Sequence, residues 1–385
     1  MLRFEFATAT RVLFAAGALG EIGPLARQYG SRALVVSGRD PGRAEPLLAA
    51  LRQHGVQPVV FAVTGEPEVQ TVEGGVALAR QEGCQFVISL GGGSVIDAGK
   101  AVAAMLANEG ELLDYLEVVG RGKALSRPSV PFIAIPTTAG TGSEVTRNAV
   151  LASPGHRVKV SLRGVGMLAK LALVDPELTY ALSPALTAST GLDALTQLIE
   201  PYVCSRANPM TDALCVEGLG RAANSLRAAF ENGRDTAARQ DMALASLFGG
   251  LALANAGLGA VHGFAGPIGG LFPAPHGAVC AALLPHVMEA NLRALRQRQA
   301  ASPILHRYDQ IARLLTHAAT ANAGQGVQWV RRLVADLGIP GLAAYGLTAR
   351  HIPGLVGKAG KASSMKANPI SLTPDELTAI LRNAL

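Results

Sequence analysis

Between residues 33 and 135, short apolar runs take turns with stretches in which apolar side chains recur every three or four positions. Ala33-Leu-Val-Val36, Pro58-Val-Val-Phe61, Phe86-Val-Ile-Ser-Leu90 and Phe132-Ile-Ala-Ile135 have the length and content of buried strands. The intervening periodicity predicts helices over about 44–54 and 68–82, and another opening near Ser94. Strands alternating with helices imply a parallel sheet covered by helices. Glycine or proline follows most of these strands closely, where such a sheet places its ligand crevice.

The pattern changes after Leu171-Ala-Leu-Val174 and the turn at Asp175-Pro176. Beyond it, Ala- and Leu-rich helical periodicity dominates, with candidates near 184–203, 210–230, 237–255, 278–296, 302–315, 325–337 and 374–384. We therefore divide the chain into an α/β domain over 1–180 and an all-helical domain over 181–385, with the boundary in 177–183 and an active cleft expected between them.

Composition agrees with two compact domains, since 385 residues exceed the roughly 100–200 of a single one. With 49% hydrophobic and 16% charged residues, the chain is far from the balance of a disordered protein. The net charge of +6 is dispersed and aromatics are few, so no nucleic-acid partner is expected; Arg293, Arg296 and Arg298 read as a solvated helix face. Cys84, Cys204, Cys215 and Cys280 show no Cys-x-x-Cys spacing and read as reduced, buried thiols of a cytoplasmic protein. The stretch Met1-Leu-Arg-Phe-Glu-Phe6 has neither the apolar run of a signal peptide nor that of an anchor, and no membrane partner is expected.

Two loops carry candidate chemistry. Gly91-Gly-Gly-Ser94 follows a strand and opens a helix, which suits a pyrophosphate lying on first-turn N–H groups. It is neither a Gly-x-Gly-x-x-Gly loop, since Ile96 takes the third glycine position, nor a Walker loop, since Ala101 takes the Ser/Thr position. Pro136-Thr-Thr-Ala-Gly-Thr-Gly-Ser-Glu144 is dense in hydroxyls and glycines and could wrap a polar ligand. In the helical half, Asp193 and Gln197 sit at i and i+4 on one predicted face. His262 and His276 flank a stretch holding Gly269, Gly270, Pro273 and Pro275, and so are expected on different elements. A carboxylate with two imidazoles is a ligand set for zinc or ferrous iron with positions left open.

Gly91-Gly-Gly-Ser-Val-Ile-Asp-Ala-Gly-Lys100, Ile135-Pro-Thr-Thr-Ala-Gly-Thr-Gly-Ser-Glu-Val-Thr146, Asp193-Ala-Leu-Thr-Gln-Leu-Ile-Glu200, His262-Gly-Phe-Ala-Gly-Pro-Ile-Gly-Gly270 and Pro275-His-Gly277 together resemble the iron-containing (group III) alcohol dehydrogenase family, including its glycerol dehydrogenase-like and maleylacetate reductase-like members. The resemblance implies a Rossmann-like parallel sheet, an all-α second domain and a homodimer. It also implies hydride transfer between a nicotinamide cofactor and a small alcohol, aldehyde or ketone, assisted by Fe2+ or Zn2+. Gly91, Gly92, Gly93, Ser94 and Asp97 would then hold the pyrophosphate and ribose, and Thr137, Thr138, Thr141 and Ser143 would line the path of the cofactor. Lys159 is similar to a family lysine near the nicotinamide, and Asp193, His262 and His276 match three metal ligands.

Two positions depart from the family pattern: Gln197 stands where most metal-dependent members have histidine, and Gly266 where many place a proton-relaying histidine. A glutamine amide oxygen binds such metals more weakly than imidazole. The strand at 33–36 runs into Ser37-Gly38-Arg39 in place of the aspartate common in NAD-preferring members. Gly38 leaves room and Arg39 can pair with a 2′-phosphate, which leans the cofactor towards NADP(H) over NAD(H). A metal-independent reductase of the maleylacetate type and a lyase resembling dehydroquinate synthase stay open as alternatives.

Overall fold

The computed structural model describes residues 3–156 and 158–385; Met1 and Leu2, part of the amino-terminal stretch read above, lie outside the described residues. The chain forms two compact units, one built on Ala7–Thr138 and Gly142–Tyr180, the other on Ala181–Leu385 with Ala139–Thr141.

In the first unit, β1 (Val12–Phe14), β2 (Arg32–Ser37), β3 (Gln57–Ala62), β4 (Phe86–Gly91) and β5 (Phe132–Pro136) join a later strand in one sheet. An antiparallel hairpin of β6 (Asn148–Ser153) and β7 (Val158–Arg163) precedes β8 (Leu171–Val174). All pairings in the six-stranded sheet are parallel, and its order is β1-β8-β5-β4-β2-β3. Helices α1 (Ile22–Arg27), α2 (Glu45–Gln53), α3 (Val69–Gln81), α4 (Gly93–Ala107) and α5 (Leu112–Tyr115) connect these strands.

Strands β4, β5 and β8 are buried along their whole length, which is why they read as unbroken apolar runs rather than alternating ones. At one edge β1 is only three residues long, too short to show in the sequence pattern. Along β6–β7, the buried Ala149, Leu151, Val160 and Leu162 alternate with more exposed neighbours, a half-buried pattern that the reading of 148–163 missed.

From β2 the chain moves to edge strand β3 and then returns past β2 to β4, so the strand order reverses between β2 and β4. An open parallel sheet leaves its ligand crevice at the carboxyl ends of the strands flanking that reversal. Ser37 stands opposite Leu90 and Gly91 opposite Pro136, which gathers Gly38, the glycine loop and the start of the hydroxyl loop at one end of the sheet. Helix α4 lies hard against β4, since a Cβ at Gly99 would stand 1.9 Å from Ser89 Oγ.

A buried polar knot ties α4 to the hairpin. Lys100, fully enclosed, donates to the carbonyls of Ser143 and Asn148 at 2.8 and 2.7 Å and to the hydroxyls of Ser143 and Thr146 at 3.0 and 2.9 Å. Its ammonium lies 3.7 Å from Asp97. Burial pushes the nearby Glu144 carboxyl up to about 7 and pulls Lys100 down.

The second unit consists of α6 (Pro184–Val203), α7 (Pro209–Glu231), α8 (Thr236–Asn255), α9 (Ala260–Leu271), α10 (His276–Arg298), α11 (Ile304–Thr316), α12 (Ala323–Asp336), α13 (Ile352–Ala359) and α14 (Pro374–Asn383). Several start where sequence chemistry dictates. Ser183, Asn208, Asp235 and Thr373 cap α6, α7, α8 and α14, and Pro184, Pro209 and Pro374 fill first-turn positions that need no N–H donor. From Thr187 to Val203 nearly every residue of α6 is buried, the mark of a helix enclosed on all sides. Ala139 joins this helical core, and a Cβ at Gly140 would stand 3.0 Å from the Thr190 carbonyl.

Helix α9 has no counterpart in the sequence periodicity. It contains four glycines and Pro267, and no side chain of its own caps it. Its first N–H groups are instead met from elsewhere, Ala260 by Asn368 Oδ1 at 3.1 Å and Val261 by Glu200 Oε1 at 2.7 Å. Of the four cysteines, three are buried as expected, but Cys84 is only half-buried; all four are free thiols. Arg293, Arg296 and Arg298 are exposed on α10. Among the described residues no single helix is long and apolar enough to cross a membrane.

Candidate active site

Helix α6 presents Asp193, Gln197 and Glu200 at i, i+4 and i+7, close to one face. Helix α9 brings His262 to them, and the first turn of α10 brings His276 with Cys280 four residues on. This meeting depends on a glycine: a Cβ at Gly277 would stand 2.1 Å from the Ser189 carbonyl oxygen, so a larger residue would push α10 off α6.

One donor atom from each of Asp193, His262, His276 and Cys280 falls in a group whose members all lie within 4.8 Å of one another. Asp193 Oδ1 is 3.5 Å from His262 Nε2 and 3.8 Å from His276 Nε2. Cys280 Sγ is 3.8 and 3.7 Å from the same two nitrogens. The two sulfur contacts are within hydrogen-bond reach, but the oxygen–nitrogen separations are too long for a good one, and Asp193 Oδ1 has no hydrogen-bond partner although it is buried. Gln197 Oε1, one turn along α6, is buried and unpartnered too. Two buried, orphaned acceptors cost on the order of 1–3 kcal/mol each unless a cation or donor meets them. Asp193, Gln197, His262 and His276 therefore suit a divalent metal in donor chemistry.

Glu200 completes the arrangement from behind. Its Oε2 is 2.6 Å from His262 Nδ1, so a proton on Nδ1 leaves the Nε2 lone pair facing the cluster, as a metal-bound imidazole requires. Electrostatics agree with a site that draws positive charge. Burial pulls the His262 imidazole down, but Cys280, Asp193 and Glu200 outweigh it and hold it well above its ordinary range. Cys280 and Asp193 likewise raise His276 against the pull of burial. Burial pushes Asp193 up, yet the two imidazoles keep it below the usual carboxylate range.

The sequence motifs gave no role to two members of this cluster, Glu200 and Cys280. Both had a signal. Glu200 lies two helical turns from Asp193, and Cys280 stands at i+4 from His276, but a helix start read at 278 instead of 276 separated that pair.

The remaining predicted site residues lie mainly at the sheet. Gly38 is half-buried and Arg39 exposed just after β2. Gly92 precedes α4, no side chain caps that helix, and Gly93 and Ser94 form its first turn, leaving its amino end open to an anion. The Thr137 N–H donates to the Gly91 carbonyl at 3.0 Å, and a Cβ at Gly92 would lie 3.4 Å from Thr138 Oγ1, so the two loops run side by side. Asp97 is engaged inside the protein: it accepts from Ser143 Oγ and, at 2.9 Å, from the Val150 N–H. Thr141 belongs to the helical unit. Lys159 lies on β7 with its ammonium 3.0 Å from Glu66 Oε2.

Residues 9–176 match the family model described as iron-containing alcohol dehydrogenase, and residues 187–385 match its C-terminal counterpart. The chain is 34% identical to 1,3-propanediol dehydrogenase of Klebsiella pneumoniae, over 99% of this chain and 98% of that protein. It is also 34% identical to the NAD-dependent methanol dehydrogenase of Bacillus methanolicus, over 96% of each. The crystal structure of a 1,3-propanediol oxidoreductase superposes with a TM-score of 0.92 at 33% identity, covering the whole of both chains.

Proposed function

The chain belongs to the iron-containing alcohol dehydrogenase family, and from that premise we propose that Asp193, Gln197, His262 and His276 hold its divalent metal. The enzyme is an oxidoreductase that moves hydride between a nicotinamide cofactor and a small alcohol or aldehyde. The observation carrying the site assignment is Asp193 Oδ1, buried without a hydrogen-bond partner beside two imidazole nitrogens. The relatives named for 1,3-propanediol and methanol support small primary alcohols as substrates, with ketones as an extension.

When bound, the nicotinamide gives or takes the hydride, and the metal offers a Lewis acid to the substrate oxygen. The chain supplies everything else. Glu200 fixes the ring of His262 so that Nε2 stays turned to the cluster. The open amino end of α4, with Gly91, Gly92, Gly93 and Ser94, receives the pyrophosphate, and Thr137, Thr138, Thr141 and Ser143 flank the cofactor. Asp97 fixes Ser143 and α4 in place, and Lys159 is assigned to the nicotinamide end. A Cβ at Gly266 would meet nothing within 4 Å, and in that space water can carry the proton that a histidine carries in many family members.

Iron and zinc both suit the donor set. Arg39 leans the cofactor towards NADP(H), and the same reading takes the enzyme as a cytoplasmic homodimer, which sedimentation would check. The test of the whole reading is a screen of nicotinamide oxidation and reduction against alcohols, aldehydes and ketones, with both cofactors, before and after chelation. Turnover that survives complete chelation would favour the metal-independent alternative.

Two variants give sharper results. Glu200→Ala frees the His262 ring and should weaken metal binding about 10- to 100-fold, the usual loss for such a supporting carboxylate, read by competition with a chromogenic chelator. Unchanged affinity would remove Glu200 from the site. Arg39→Ala should raise the KM for NADP(H) about 10- to 100-fold, equivalent to one charge-assisted hydrogen bond, and leave that for NAD(H) nearly unchanged. Equal effects on both cofactors would reject the 2′-phosphate contact.

A further inference from the structure

The fourth position around this metal has an unusual occupant. Gln197 offers only an amide oxygen, a weak donor for iron or zinc. Across the cluster, Cys280 points a sulfur at the same space from one turn beyond His276.

We propose that Cys280 is a metal ligand, acting as a thiolate beside Asp193, His262 and His276, and that it gives this site a preference for zinc over iron. The inference rests on the assignment of Asp193, His262 and His276 above and puts Cys280, which the motifs do not contain, in the fourth place given there to Gln197.

Geometry carries the argument. Two ligands on a tetrahedral zinc, one nitrogen at about 2.1 Å and one sulfur at about 2.3 Å, stand about 3.6 Å apart, and two N/O ligands about 3.4 Å apart. The sulfur of Cys280 is 3.8 and 3.7 Å from the two imidazole nitrogens, and Asp193 Oδ1 is 3.5 and 3.8 Å from them. Four of the six edges are thus close to those of a zinc tetrahedron, and the other two are no longer than 4.8 Å. A thiol that merely filled core volume would not need to face two imidazole nitrogens and an unpartnered carboxylate oxygen. Among the other cysteines, Cys204 packs with Ala256 and Ala367, away from this group.

The chemistry follows from softness. On binding, the Cys280 thiol gives up its proton to solvent as the sulfur–metal bond forms. Thiolate sulfur favours zinc over harder ions, whereas carboxylate and imidazole alone distinguish zinc from ferrous iron less sharply. A ligand set of one carboxylate, two imidazoles and one thiolate would still admit substrate as a fifth ligand, a coordination number open to catalytic zinc. Gln197 is then a neighbouring acceptor rather than the fourth ligand.

The test replaces the native metal with cobalt(II), whose absorption reports its ligands. The wild-type protein loaded with one cobalt per chain should show an intense thiolate-to-cobalt band in the near ultraviolet besides its weaker visible bands. In Cys280→Ser that near-ultraviolet band should vanish, while in Gln197→Ala and Cys204→Ala it should persist. Equimolar anaerobic loading with zinc and ferrous iron should also give Cys280→Ser a lower zinc-to-iron ratio. Its zinc affinity should drop by more than the roughly 10- to 100-fold that loss of an outer-shell partner costs. Cobalt bound with visible bands but no thiolate band in the wild type, or a band that survives Cys280→Ser, overturns the role of Cys280 and leaves the metal site standing. Failure of the wild-type protein to bind cobalt overturns both. The wild-type spectrum needs no variant, so the outcome does not depend on how well Cys280→Ser folds.

Discussion

His276→Ala should lose its metal and on the order of 10³-fold or more in kcat/KM, a deficit of about 4 kcal/mol in transition-state stabilisation. The fold should survive, because His276 occupies the first turn of α10 with its side chain 35% exposed, and alanine suits that position. His262 is the poorer probe. It is buried and bonded to Glu200, and its removal would strand that carboxylate without a partner. Elemental analysis per chain and steady-state kinetics, run on protein whose melting temperature matches the parent, decide the matter. Parental turnover in a metal-free His276→Ala protein would end the Lewis-acid assignment.

The second large effect lies in the other unit and concerns stability. Lys100→Met should cost about 3–5 kcal/mol, because it leaves Asp97 and Glu144 as buried carboxylates with no cation and unties α4 from residues 143–148. The pH dependence has a definite sign. The Glu144 carboxyl is raised from 4.5 to about 7, so between those values the native protein keeps a proton that the unfolded chain has released. The contribution of Glu144 to stability is therefore full below about 4.5 and is lost as pH rises through about 7. Loss of Lys100, which favours the ionised form of Glu144, drives that carboxyl higher still. The deficit of Lys100→Met should then grow between about pH 6 and pH 8, as measured by urea unfolding. A deficit that shrinks as pH rises would show that the lysine does not compensate these acids.

Much of the architecture was legible, for a physical reason. A strand buried on both faces must be apolar throughout, so β2, β4, β5 and β8 announce themselves, and helices that carry their own caps, such as α6, α7 and α14, begin where Ser183, Asn208 and Thr373 stand. Other elements lack local marks. Strand β1 is held by pairing with β8 rather than by its own composition, and α9 is helical despite four glycines because Glu200 and Asn368, 61 and 108 residues away from their partners, satisfy its amino end.

The site divides along the same line. Amino-acid order alone determined the alternation that makes a parallel sheet, the glycine loop after β4, the placing of Asp193 and Gln197 on one helical face, and the motifs of an iron-type alcohol dehydrogenase. Only tertiary packing decided that α9 and α10 close on α6, that Glu200 backs His262, and that the sulfur of Cys280 comes beside Asp193, His262 and His276. Periodicity reports which face of one element is apolar. Which faces then meet depends on close approaches such as Gly277 against Ser189, and these belong to the folded chain.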